Sequence, residues 1–264
     1  MRVPNLNHAR TLAVAFLSLV TAAIVPADDV PATQPVQTGQ HAGHFEKQIT
    51  IELNYLLYLP DDYGKDPAKK WPVIFFLHGS GERGTDLNMV KRYGPPKIVK
   101  GKKDFPFVVV SPQCPPDTGW HTLELNGLLD QILADYHVDP DRVYLTGLSM
   151  GGFETWDWAV QNADRFAAIA PMCGGSNVSM AHRLTKLPIW VFHGDADPVV
   201  PVARSDEMVA ALKALGADVR YTRYPGVGHD CWTQSYNNPD LYTWFLSHHR
   251  GETRTPTTQP APNK

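Results

Sequence analysis

Val143-Tyr144-Leu145-Thr146-Gly147-Leu148-Ser149-Met150-Gly151-Gly152 begins as a β-favouring apolar run and breaks into Gly-x-Ser-x-Gly. A short continuous apolar run bounded by turn residues reads as a buried strand. The residues from about Met150 onward read as a helix, so Ser149 sits on a sharp strand-to-helix turn. Such a turn strains the serine backbone and leaves no room for bulk two positions to either side, which accounts for Gly147 and Gly151. Ser149 then presents its hydroxyl outward at a helix N-terminus. Composition alone yields this five-residue pattern about one time in ten in a chain of this length. Its weight therefore comes from its place after a strand, and from Gly152, which permits close helix-to-strand packing.

Outward from this turn, the span 45–250 alternates apolar strand-like runs with amphipathic helical ones. That is the pattern of an α/β domain with a mostly parallel sheet flanked by helices. Val73-Ile74-Phe75-Phe76-Leu77, Phe107-Val108-Val109-Val110, Ala167-Ala168-Ile169-Ala170 and Ile189-Trp190-Val191-Phe192 are further buried strands, and Val219 to Tyr224 reads as a strand. Ile49 to Leu59 alternates and reads as an early antiparallel strand. Leu123 to Tyr136, Ser205 to Leu215 and Pro239 to His248 read as helices. Ligands of open α/β sheets bind beyond the carboxyl ends of the strands, so the turns there are where chemistry belongs.

A serine hydroxyl is a weak nucleophile until a base takes its proton, so a histidine is required on a later loop. On this type of elbow the chain order is serine, acid, histidine. His193-Gly194-Asp195-Ala196-Asp197-Pro198 follows a strand and offers two acids. Asp197 lies later in the turn, stiffened by Pro198, and is favoured over Asp195, which is read as a turn cap. Gly226-Val227-Gly228-His229 follows the strand ending at Tyr224, and its two glycines let the chain turn tightly enough for His229 to reach inward. His78 and His193 close strands before a glycine and are read as structural. His229 is the candidate base, with a surface turn histidine as its alternative.

Acyl transfer also needs N–H donors aimed at the oxygen that becomes negative. Met150, directly after the serine, supplies one, and the loop His78-Gly79-Ser80-Gly81-Glu82-Arg83-Gly84 supplies the other, with Ser80 as the chosen donor. Glu82 and Arg83 are read as holding that loop rather than binding substrate. Trp120 is a candidate pocket wall for substrate, and a core tryptophan beneath the loop is its equal alternative.

Taken together, Leu77 to Gly84, Pro112-Gln113-Cys114-Pro115, Trp120, Asp139 to Gly152, Ala170-Pro171-Met172-Cys173-Gly174-Gly175 and His193 to Pro201 resemble the α/β-hydrolase superfamily. The likeness is to exported bacterial esterases of its phospholipase/carboxylesterase and dienelactone-hydrolase-like group, sometimes labelled predicted peptidases. It covers nearly all of 45–250. The resemblance implies a Ser149, Asp197 and His229 triad, supports Ser80 as oxyanion donor, and implies a serine carboxylic-ester hydrolase acting through an acyl-enzyme. Glu154 departs from the small or uncharged residue expected behind the elbow. A serine peptidase of the prolyl-oligopeptidase superfamily shares the triad, but such enzymes usually carry a large gating domain. A catalytically silent binding protein on the same scaffold is the rival of another class. No metal or cofactor is called for, and small acyl or aryl esters, including those of plant polysaccharide, are the expected substrates.

The ends and the composition set the context. Arg2 and Arg10, an uncharged apolar run from Thr11 to Val25, and Pro26-Ala27 before Asp28-Asp29 fit a signal peptide over 1–27. The alternative, a membrane anchor, needs about 20 apolar residues, more than this run holds. A secreted or periplasmic location follows, without stable membrane insertion after cleavage. Segments 28–44 and 251–264, rich in Pro, Thr and Gln, read as disordered, because they hold too little apolar surface to offset ordering. The formal net charge is −3, from 24 basic and 27 acidic residues. It offers nucleic acid no footing. Cys114, Cys173 and Cys231 allow at most one internal disulfide and match no zinc spacing. Oligomeric state is not legible.

Overall fold

Seven consecutive residues, Trp71–Leu77, form β2, and all of them are buried. A strand buried on both faces belongs in the middle of a covered sheet. In the computed structural model, which describes residues 40 and 42–251, β2 lies between β3 (Val108–Pro112) and β4 (Val138–Leu148). The sheet has seven strands in the order β1-β3-β2-β4-β5-β6-β7. The other strands are β1 (Tyr55–Tyr58), β5 (Ala168–Met172), β6 (Ile189–Gly194) and β7 (Val219–Tyr224). Every pair is parallel except β1 with β3. The expected signal peptide, most of 28–44 and all but the first residue of 251–264 lie outside the described residues. Contacts divide the chain into a unit over 1–48, whose described residues are exposed and without regular secondary structure, and a unit over 49–264 that carries the sheet.

The period-2 alternation of the strands sorts the core into two layers. Val73, Phe75 and Leu77 face one side with Leu125, Leu129, Trp158 and Met208. Ile74 and Phe76 face the other with Tyr236, Leu241 and Phe245. The first layer is covered by α2 (Thr122–Asp135), α3 (Met150–Gln161) and α4 (Ala203–Ala214). The second is covered by the short α1 (Gly94–Ile98), α5 (Trp232–Asn237) and α6 (Pro239–Leu246). Among the described residues, no helix is long and apolar enough to cross a membrane.

The early strand is shorter than its alternation suggests. Pairing begins at Tyr55 opposite Pro112, the last residue of β3. Beyond it the chain of β3 leaves the sheet, so Ile49 to Leu53 have no ladder to join, and Ile49 is 60% exposed. In the other direction β4 exceeds its apolar run, starting at Val138 with a register irregularity opposite Trp71 to Val73.

Candidate active site

The carboxyl ends of β4, β6 and β7 bring together Ser149, Asp197 and His229. Ser149 joins β4 to α3 with φ 52° and ψ −117°, a left-handed conformation that costs a non-glycine residue about 1–3 kcal/mol. The surroundings hold it there: Ser149 N–H donates to Met172 O at 3.0 Å, and Phe153 N–H donates to Ser149 O at 3.0 Å. A Cβ on Gly147 would strike the Gly151 carbonyl, and one on Gly151 would strike the Leu77 carbonyl at the end of β2. The two motif glycines are therefore steric requirements of the turn. Gly152 is a third, since a Cβ there would strike the Met172 carbonyl of β5.

His229 Nε2 lies 2.9 Å from Ser149 Oγ. Its Nδ1 lies 2.7 Å from Asp197 Oδ2. The acid is fixed on its other side, because Asp197 Oδ1 accepts the N–H groups of Val199 at 2.8 Å and Val200 at 2.9 Å. Burial by itself would raise the Asp197 carboxyl, but the hydrogen bonds from His229, Val200 and Val199 hold it below the ordinary value. For His229, burial favours the neutral ring, while the adjoining Cys173 sulfur and the Asp197 carboxylate outweigh it and raise the imidazole to about 8.

The acid and base loops are laced together. Asp195 N–H donates to Tyr224 O and Ala196 N–H to Val227 O, both at 3.0 Å. Asp195 Oδ1 accepts the N–H of Gly226 at 2.6 Å. Asp195 thus pins the turn that carries His229, while Asp197 touches the imidazole itself. Gly194 is the crossing point, where a Cβ would strike the Val227 and Gly228 carbonyls. His193 contacts Ser205 Oγ at 2.7 Å and Val200 O at 3.0 Å. Its Nε2 also lies 3.3 Å from Asp197 Oδ2, a contact the sequence did not announce.

Met150 opens α3 and Ser80 opens a 3-10 turn at Ser80–Glu82. The first N–H groups of a helical turn have no acceptor within it, which leaves them available to a ligand. The Ser80 loop runs beside Ser149: a Cβ on Gly79 would lie 3.6 Å from Ser149 Cβ. His78 braces that loop, donating from Nδ1 to Gly79 O at 2.6 Å and accepting Cys114 N–H on Nε2 at 3.0 Å. Burial lowers its pKa to about 4, so this ring is a neutral structural group. Arg83 reaches Ser80 O and Thr118 O, and Gln113 donates to Glu82 O, so both Glu82 and Arg83 serve the loop.

Trp120 occupies the core position named as its alternative. It is 7% exposed, its Nε1 donates to His78 O at 3.2 Å, and its ring lies 4.8 Å from that of His78. The aromatic beside the histidine is Trp232 instead, with ring centroids 5.0 Å apart and planes at 85°. Trp232 borders a cavity of about 360 Å³ with Tyr93, Lys97, Lys102 and Tyr242. The sequence signal for it was its place three residues after His229. Glu154 accepts a hydrogen bond from Thr122 Oγ1 at 3.0 Å, which ties α3 to α2, and burial raises its carboxyl to about 7.

Among the described residues, Cys173, His193 and Asp197 form the one group of three side chains that could hold a metal ion, with ligand atoms within 4.8 Å of one another. Asp197 is already engaged by His229 and two backbone N–H groups.

Residues 123–240 match the model of the dienelactone hydrolase family, a span that contains Ser149, Asp197 and His229. Among curated proteins, a bifunctional acetylxylan esterase/xylanase of Neocallimastix patriciarum is 33% identical over 153 residues, 52% of this chain and 21% of the relative. A poly(3-hydroxyoctanoate) depolymerase of Pseudomonas fluorescens is 28% identical over 217 residues, covering 70% of this chain and 77% of the relative. Among solved structures, a thermostable esterase superposes with a TM-score of 0.66 at 35% identity, over 76% of this chain and 60% of that one. The chain thus spans about a fifth of the first relative and three fifths of the solved esterase.

Proposed function

For a chain that belongs to the α/β-hydrolase superfamily, we propose the function of a serine carboxylic-ester hydrolase. The observation that carries it is the unbroken relay from Ser149 Oγ through His229 to Asp197, at 2.9 and 2.7 Å. Ser149 attacks the ester carbonyl while His229 Nε2 takes its proton. Asp197 holds the Nδ1–H tautomer and stabilises the imidazolium that forms. The N–H groups of Met150 and Ser80 receive the oxyanion, each worth about 3 kcal/mol of transition-state stabilisation. His229 then returns its proton to the leaving alkoxide, and water, activated by the same ring, releases the acid from Ser149.

The substrates are small acyl or aryl esters, including those attached to plant polysaccharide, met outside the cytoplasm. The acetylxylan esterase relative supports an acyl group on carbohydrate. Ser149→Ala tests the assignment. The folded variant is expected to lose turnover of short p-nitrophenyl esters and labelling by a fluorophosphonate probe. Retention of either in a folded variant refutes the role of Ser149. Release assays on acetylated and feruloylated xylan test the substrate class, and inactivity on both beside good turnover of simple esters removes the carbohydrate reading.

A further inference from the structure

Cys173 and Cys231 are 58 positions apart, yet their sulfurs lie 2.9 Å from each other. Both side chains are fully buried in the same layer of the core. Cys173 follows the last residue of β5 with φ 49°, a left-handed conformation that aims its side chain away from the strand's alternation. Its N–H donates to Phe192 O at 3.0 Å. Cys231 comes two residues after His229 and precedes α5, with its N–H on His229 O at 2.9 Å. The Cys173 thiol itself donates to His229 O at 3.1 Å. Cys114 belongs to the opposite layer and contacts Thr118, so the fold offers one pairing and not three.

We propose that Cys173 and Cys231 are a disulfide-forming pair that staples the His229 loop to the end of β5, with Cys114 as the remaining thiol. The chemistry is exchange with a low-molecular-weight disulfide, RSSR. The Cys231 thiol loses its proton to solvent, and the thiolate attacks one sulfur of RSSR. A bond forms from Cys231 to that sulfur, and RS⁻ departs. The Cys173 thiolate then attacks the Cys231 sulfur, forming the internal bond and expelling the second RS⁻. Two protein thiols are oxidised, one RSSR is reduced to two RSH, and the protons released balance the two thiolates expelled.

Burial sets when this happens. In the folded chain both sulfurs are out of reach of a small oxidant, and the reactive species is the thiolate, not the thiol. The bond therefore forms while the chain closes, before the His229 loop seals over β5, and burial afterwards protects it from reduction. The crosslinked loop contains β6, α4 and β7, and with them Asp197. Its effect on the proposed catalytic site is positional: Cys231, two residues beyond His229, is tied to the residue that follows Met172, whose carbonyl accepts the Ser149 N–H.

The test does not depend on any enzymatic reading. The full chain is unfolded under reduction, refolded with reduced and oxidised glutathione, freed of glutathione, denatured without reductant in iodoacetamide so that every remaining thiol is reached, and analysed by intact mass and peptide mapping. The expected result is one alkylated thiol per chain, at Cys114, and a crosslinked pair of peptides containing Cys173 and Cys231. Three alkylated thiols after refolding, or a crosslink containing Cys114, overturn the proposal. Cys114→Ser should leave the crosslink intact, and Cys231→Ser should leave Cys173 open to alkylation once the chain is denatured. A functional readout follows: the chain refolded under reduction throughout should show ester turnover within about threefold of the crosslinked chain at ambient temperature and a shorter half-life of inactivation on heating. Equal half-lives for the mapped, crosslinked chain and the chain refolded under reduction overturn the stapling role.

Discussion

Replacing Asp197 by Asn changes one oxygen to an amide nitrogen, and the structure dictates which one. Asp197 Oδ1 accepts N–H from Val199 and Val200, so the carbonyl oxygen of Asn stays there and its NH₂ takes the place of Oδ2. That NH₂ faces Nδ1 of His229 at the former 2.7 Å contact. Two donors cannot share that contact, so the ring adopts the Nε2–H tautomer, which cannot accept a proton from Ser149. In a triad of this kind the wrong tautomer costs about 10⁴ in turnover.

A second effect opposes the first. The imidazole is raised to about 8 with Asp197 in place, so about a tenth of the protein carries the neutral base at pH 7 and about nine tenths at pH 9. Without the carboxylate one of the groups that raise the ring is gone, so its pKa falls and more of it is neutral at pH 7. The loss in kcat/KM for a p-nitrophenyl ester should therefore be smaller at pH 7 than at pH 9, where it approaches about 10⁴-fold. The rising limb of the profile should move from about 8 to lower pH. A defect that does not change with pH, or a limb that stays near 8 in the Asn variant, refutes the coupling of Asp197 to the base.

Other substitutions test separate parts of the site. Asp195→Ala removes the 2.6 Å bond to Gly226 N–H without touching the ring. It should cost at most about tenfold in kcat/KM, in line with one lost loop hydrogen bond of about 1 kcal/mol. A defect matching that of Asp197→Asn would exchange the two acids. Gly151→Ala drives a Cβ into the Leu77 carbonyl of β2. The denaturant midpoint should fall by the equivalent of about 3 kcal/mol or more, with turnover lost. Glu154→Gln concerns stability. Its folded carboxyl is raised to about 7 by burial, so the unfolded chain releases that proton first and stability falls as pH climbs from about 4.5 to 7. Urea unfolding should show Gln and Glu alike near pH 4, and the Gln variant more stable by up to about 3 kcal/mol at pH 8.

Much of this arrangement was legible in the chain because it depends on local sequence. The continuous apolar runs located β2, β3, β5 and β6. The pair of glycines around Ser149 announced a turn where side chains collide, and the collisions are with the Gly151 and Leu77 carbonyls. Serine, acid and histidine stand in chain order at the carboxyl ends of β4, β6 and β7. Asp195 and Asp197 were separated by place in the turn, and the structure divides them accordingly, one holding Gly226 and the other His229.

What the chain could not show were relations between distant segments. Alternation in 49–59 carries no record of where β3 ends, so only pairing limited β1 to Tyr55–Tyr58. Trp120 and Trp232 are equally apolar in sequence. Burial under the His78 loop and an edge-to-face contact with His229 depend on the packing of different layers. Cys173 and Cys231 were two of three cysteines with three pairings open, and sequence spacing cannot choose among them. Local physics determined the strands, the strained serine and the chain order of Ser149, Asp197 and His229. Tertiary packing alone decided which aromatic borders the site and which two sulfurs meet, because those contacts join residues that no local rule connects.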